Sequence, residues 1–216
     1  MFRLLRSTHR SQIGIQITQA EIRIVELQAV AQDFVIQNYA INTLPADAIQ
    51  GGFIRQFDVI QTRVRQLVKQ LNAEGLSAVT AIPAEHVLMK QTTMPAFFSR
   101  KELEVEILAN LPHYFGVTSA TELCFDYVEL GPAGLEQNEV LVLAVHAGFL
   151  HTYLALINQS GLYVKIIDVD KYALERATAQ ASRIRLAAHL HAEDFQAVAE
   201  KLQICLGLAL RKIALW

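Results

Sequence analysis

Three β-rich runs follow one another near the start of the chain: "QIGIQIT" from Gln12, "EIRIVELQAV" from Glu21 and "FVIQNYAINTLP" from Phe34. Each is built on Ile and Val, with polar residues between them. β-Branched side chains are stiff in a helix but fit a pleated sheet. The breaks between the runs are too short for a crossover, so neighbouring strands must be antiparallel. The runs predict a three-stranded meander, and that limits the chain to folds containing a sheet.

The periodicity then changes. "PADAIQGGFIRQ" reads as a loop, after which Ile60, Val64, Leu67 and Leu71 recur at helical spacing over residues 57–72, with Gly75 as the expected C-cap. "SAVTAIP" is apolar almost throughout, the mark of a strand buried on both faces. Pro83 reads as a boundary. Beyond it come the strand "VLMKQTTMP", a capping box from Ser99 to Glu102 opening the helix "RKELEVEILANL", and Pro112, expected to end that helix. The strand "CFDYVEL", the hairpin turn "GPAGLEQN", the strand "EVLVLAVH", the helix "GFLHTYLALINQSG" and the strand "LYVKIIDV" complete a β-α-β-β-α-β pattern. We assign it to an inserted subdomain, 84–165, within a first body made of 11–83 plus 166–216. The helix "DKYALERATAQ" follows, with Asp168 or Asp170 as its expected cap.

In the tail, Phe195, Val198, Leu202, Cys205 and Ala209 repeat at threes and fours, one helix face. Leu208, Ile213, Leu215 and Trp216 add apolar surface on the other side. Burial inside the fold or in a homodimer would each account for that excess.

Composition narrows the function classes. Hydrophobic residues make up 52% and charged residues 19%, so a packed core is expected rather than disorder. The apolar stretches "ICLGLALRKIALW" and "VLVLAVHAGFL" fall short of the roughly 18 residues a spanning helix needs, so no direct membrane insertion is expected. Residues 1–10, "MFRLLRSTHR", are basic without a signal-peptide core. They read as a flexible terminus or a contact to anionic lipid. A net charge of −2 gives no footprint for a nucleic-acid partner. Cys124 and Cys205 read as buried thiols in a reducing compartment. No metal site is expected: His189 and His191 have strand spacing in a helical stretch, and His146 and His151 lie off a common helical face. No G-x-S-x-G elbow occurs. The carboxylate pairs Asp126 with Glu129 and Asp168 with Asp170 read as outward strand positions and a helix cap.

The order of a "GI-I" hairpin, "VEL", "GGFI", a helix, "AIP", "MKQTTMP", a charged helix, "FDYVELGP", "VLVLAVH", "IIDVDKYALERA" and "CLGLALRK" resembles the PilM family. Those are actin-like cytoplasmic components of type IV pilus and competence machines, distantly related to FtsA. The resemblance covers residues 11–180 and 203–212. It implies a mixed α/β (α+β) fold: a truncated actin-like, ribonuclease H-like subdomain carrying the inserted one. The family's phosphate hairpin is similar to G-I-D-I-G-S-x-x-V-K. Against it, "GIQITQAEIR" keeps Gly14 and has Arg23 for the lysine. It replaces the Mg²⁺-holding aspartate with Gln16, the glycine with Thr18 and the serine with Gln19. Between "ALERA" and "CLGLALR", residues 178–203 are too few for the family's second domain. The resemblance therefore implies a degenerate relative, not an enzyme and without cofactor. The alternative is an ATP-binding member seen as a fragment or an engineered excision, and a free-standing module outside pili is a third reading.

The resemblance also implies a partner, the N-terminal peptide of a PilN-like inner-membrane protein, along with other pilus assembly components. The chain would then be cytoplasmic and peripheral at the inner membrane. The implied peptide groove lies between the two subdomains, with Met94, Pro95, Phe97, Phe98, Leu103, Ile107 and Leu111 as candidate contacts. Phe97 and Phe98 read either as part of that groove or as packed under their own loop.

Overall fold

The computed structural model of the protein describes residues 11–211. The three opening runs form β1 (Ser11–Ile17), β2 (Glu21–Val30) and β3 (Asp33–Thr43), paired antiparallel as the alternation requires. A register shift between Glu26 and Leu27 bulges β3 at Gln37. A small hairpin, β4 (Ile49–Gln50) with β5 (Phe53–Ile54), leads into α1 (Phe57–Gln70). The helix stops at Leu71 rather than near Gly75: Asn72 already takes φ 52°, so the αL reversal comes three residues before the glycine. β6 (Ser77–Ile82) is buried from Ala78 on and runs parallel to β1.

Two compact units follow from the contacts, one running to Ile82 and resuming at Leu154, the other Pro83–Tyr153. The first contains a six-stranded sheet in the order β10-β6-β1-β2-β3-β11, where β10 is Tyr163–Val169 and β11 is Ile184–Leu186. β10 pairs parallel with β6, and β11 parallel with β3. The end of α3 (Ala147–Asn158), α4 (Asp170–Gln180), α5 (Ala192–Gln196) and α6 (Ala199–Ala209) complete this unit. Val25 and Leu27 on β2 join Cys205, Leu206 and Ala209 of α6 in one core cluster, while Ile22 and Ile24, on the opposite face, are fully buried too. The middle strands are therefore covered on both sides.

The second unit holds β7 (Leu88–Pro95), α2 (Arg100–Phe115), β8 (Leu123–Pro132) and β9 (Gln137–His146), with strand order β7-β9-β8. Its core is Leu103, Ile107 and Leu111 of α2 against Met94, Val140, Val142 and Ala144 of the sheet. The capping box forms: Ser99 Oγ accepts from the Glu102 N–H, and Glu102 Oε2 accepts from the Ser99 N–H at 2.7 Å.

Several expectations need correction. "LYVKIIDV" is not the last strand of the inserted subdomain but β10 of the large sheet, so the second boundary falls inside α3 and not at 165. Hydrogen bonding to β6 decides its membership, which periodicity cannot show. Pro112 does not end α2. It sits inside the helix, where only the bond to the Leu108 carbonyl is lost, and α2 continues to Gly116 at φ 67°. The tail face is split by Val198, which takes φ −121° as the N-cap of α6. Neither Asp168 nor Asp170 is the N-cap of α4; that residue is Val169. Cys124 is only half-buried.

Candidate functional site

The β1–β2 hairpin closes in a tight turn. The Thr18 N–H donates to the Glu21 carbonyl at 2.8 Å. Thr18 Oγ1 accepts from the Glu21 N–H and reaches the Glu21 carbonyl, each at 3.0 Å. The threonine hydroxyl thus ties the turn at the position where the resemblance implies a glycine. Gln19 stands exposed at the tip.

Gly14 lies mid-strand on β1, and α6 passes directly over it. A Cβ there would collide with the Cys205 carbonyl oxygen and stand 2.9 Å from the Ala209 nitrogen. This glycine is required by the approach of one backbone to another, independently of any phosphate. Gly207 does the same on the other side of α6, where a Cβ would collide with the Ala173 carbonyl of α4.

Gln16 and Arg23 are cross-strand partners. Gln16 is buried, and its Oε1 accepts from Arg23 Nη1 at 3.3 Å. Arg23 Nη1 also donates to the Lys201 carbonyl at 3.1 Å, and the guanidinium pairs with Glu21 Oε2 at 3.0 Å. Lys201 Nζ meets the other oxygen, Glu21 Oε1, at 2.6 Å. The hydrogen bond from Lys201, opposed by burial and then reinforced by Arg23, holds the Glu21 carboxyl below the usual carboxylate range. Cys205 Sγ donates to the Arg23 carbonyl at 3.3 Å, and burial pushes this thiol up to about 12. It is a packing group and not a nucleophile.

Chemically, this arrangement fastens a hairpin to a helix. The guanidinium is engaged on three sides, and the one carboxylate beside it is shared by two cations. Among the described residues, no group of three His, Cys, Asp or Glu is placed to hold a metal ion. Sequence reasoning missed Glu21 and Lys201. Glu21 and Arg23, two apart on one strand face, were a readable signal; Lys201 lies 180 residues away and was not. It also missed a second anchor. The buried Asp168 pairs with Arg176 at 2.8 Å and Arg211 at 3.5 Å, and Arg176 Nη1 donates to the Gly207 carbonyl at 2.7 Å.

The candidate peptide contacts divide. Met94, Leu103, Ile107 and Leu111 are core residues of the second unit, with no more than 3% of their surface exposed, and offer nothing to a partner. Pro95 is half-buried. Phe97 is 77% exposed and meets Phe98 edge-on with ring centroids 5.5 Å apart, while Phe98 packs on the unit's core. The loop pair therefore splits into one exposed and one packed ring. Leu208 is fully buried against Val79, Ala81 and Ala173, which answers its excess apolarity internally. Ile213, Leu215 and Trp216 lie outside the described residues.

An antiparallel meander continued by parallel strands, with α/β structure inserted after β6, defines an actin-like fold. A solved structure titled "PilM-PilN type IV pilus biogenesis complex" is similar over 77% of this chain, with a TM-score of 0.68 and 19% identity. The chain belongs to the family of type IV pilus assembly protein PilM, whose model matches residues 14–200. It spans about half, 49%, of the solved PilM–PilN chain. Two further structures are more distantly similar. The cytoplasmic domain of EpsL, an inner membrane component of the type II secretion system of Vibrio cholerae, is 15% identical (76% of this chain, 58% of that one, TM-score 0.46). The ethanolamine utilization protein EutJ from Carboxydothermus hydrogenoformans is 12% identical (82% and 43%, TM-score 0.39).

Proposed function

We propose that this chain is a non-catalytic adaptor of a type IV pilus or DNA-uptake machine. It works on the cytoplasmic side and is held at the inner membrane by the N-terminal peptide of a PilN-like protein. The observation that carries the reading is the hairpin. Where phosphates and Mg²⁺ need backbone amides and an acid, the chain has a neutral, buried Gln16, a turn tied by the Thr18 hydroxyl, and an Arg23 engaged by Glu21 and the Lys201 carbonyl. Phosphoryl transfer needs charge stabilisation that these groups do not supply. Family membership and likeness to a PilM–PilN structure support the pilus role and the kind of partner. No helix among the described residues is long and apolar enough to cross a membrane. Phe97 is the one candidate contact with a largely exposed side chain, and we assign it to the peptide site.

A labelled N-terminal peptide of a PilN-like protein, titrated against the chain by fluorescence anisotropy, tests the adaptor role. Saturable binding weakened by Phe97→Ala supports it. No binding at high protein concentration removes it.

A further inference from the structure

The second unit differs in charge from the rest of the molecule. Residues 83–153 carry nine Asp and Glu against three Lys and Arg, a net charge of −6 where the whole chain has −2. Within that unit β8 pairs with β9 alone and forms an edge of the three-stranded sheet. A groove of about 400 Å³ runs beside it, with Glu104, Val105 and Leu108 on the helix side and Phe125, Asp126 and Tyr127 on the strand side. Lys101, Glu104 or Val105, and Leu108 recur at threes and fours, so they form one flank of α2, turned away from the buried row of Leu103, Ile107 and Leu111.

Val105 is 61% exposed and Leu108 47%; on the strand, Val128 and Leu130 are 50% and 49% exposed. Apolar side chains gathered along a strand edge invite another strand. Phe125 and Tyr127 lean onto the α2 side, and Val128 and Leu130 alternate to the other face. Asp126 adds negative charge on that other face and Glu129 on the α2 face, while Glu104 is paired with Arg100 at 3.3 Å beside Lys101.

We propose that the β8 edge and the 101–108 flank of α2 form a docking site for an extended segment of a partner protein, rich in Lys or Arg alternating with β-branched residues. The segment adds to β8 as a fourth strand. Its backbone pairs with the free edge, its apolar side chains cover Val105, Leu108 and Phe125 on the α2 face, and its cations, on the opposite face, meet Asp126. Charge complementarity selects the occupant: an acidic segment of the same pattern meets like charge at Asp126 and in the net −6 of the unit around it. The site lies within the second unit and does not depend on the state of the phosphate hairpin or on the PilN-like peptide.

A short acetylated peptide of alternating lysine and valine, titrated into the isotopically labelled full chain, tests this by amide chemical shifts. The expected result is shifts confined to residues 101–108 and 123–132, about tenfold weaker binding with Val105→Lys or Leu108→Lys, and weaker binding again between about 50 and 300 mM salt. Both substituted side chains are exposed, so the variants keep the wild-type spectrum elsewhere. Shifts elsewhere, no shifts, or equal binding of the glutamate–valine peptide would overturn the proposal. So would concentration-dependent broadening of β8 amides without peptide, which makes a second copy the occupant.

Discussion

Gly14 on β1 and Cys205 on α6 approach so closely that a single added methyl group at the glycine would collide with the Cys205 carbonyl oxygen. The strand residue that the phosphate-hairpin pattern brings into view is thus a packing residue. Gly14→Ala forces backbone against backbone, which flexible side chains cannot relieve, so the loss falls at the upper end of overpacking effects, about 3 kcal/mol. Urea unfolding followed by circular dichroism measures it. A loss below about 1 kcal/mol would mean that α6 moves aside readily.

The Glu21 carboxylate, shared by Lys201 and Arg23, titrates below its unfolded value. Its contribution to stability is complete above the unfolded pKa of about 4.3 and disappears as pH falls through the lower folded value. Wild type and Glu21→Gln should differ in urea midpoint at pH 6, and the gap should narrow as pH falls below the unfolded value. A constant gap across that range contradicts the pairing.

Arg176 joins β10, α4 and α6 through Asp168 and the Gly207 carbonyl. Arg176→Leu leaves a buried carboxylate with Arg211 at 3.5 Å as its remaining cation and the Val169 N–H at 2.9 Å. Partial exposure of the arginine reduces the full penalty for a broken buried pair to about 2 kcal/mol. In a double-mutant cycle, adding Asp168→Leu should restore part of that loss. Additive losses would show that the pair is not coupled.

Cys205 is fully buried with its thiol pushed up to about 12, while Cys124 is half-buried. Under native conditions a neutral alkylating reagent should therefore label Cys124 alone, and Cys205 only once the chain unfolds. Mass spectrometry of the labelled chain reads both. Equal labelling of Cys205 would mean that α6 opens readily from β1 and β2.

How much was legible depended on the distance between interacting residues. The meander, α1, the capping box at Ser99 and Glu102 and the buried strand Ser77–Ile82 all follow from patterns within about ten residues, and each formed. Sheet membership of Tyr163–Val169 depends on a partner strand nearly ninety residues earlier, and there the reading failed. The same division runs through the candidate site. The substitutions at Gln16 and Thr18 were visible in the sequence. The reason Gly14 stays a glycine was not, because Cys205 and Ala209 come near it only in the fold. Met94, Leu103, Ile107 and Leu111 follow from the resemblance as apolar residues of matching stretches, and apolarity does not separate a groove from a core.

The measurement that bears most directly on the account is a calorimetric titration of the full chain with Mg²⁺ and ATP. Gln16 supplies no charge to the cation, Thr18 closes the turn, and Arg23 is held by Glu21, so no saturable heat is expected up to millimolar nucleotide. Micromolar binding, lost on substitution of Arg23, would contradict the central claim that this hairpin serves as a packed scaffold rather than a nucleotide clamp.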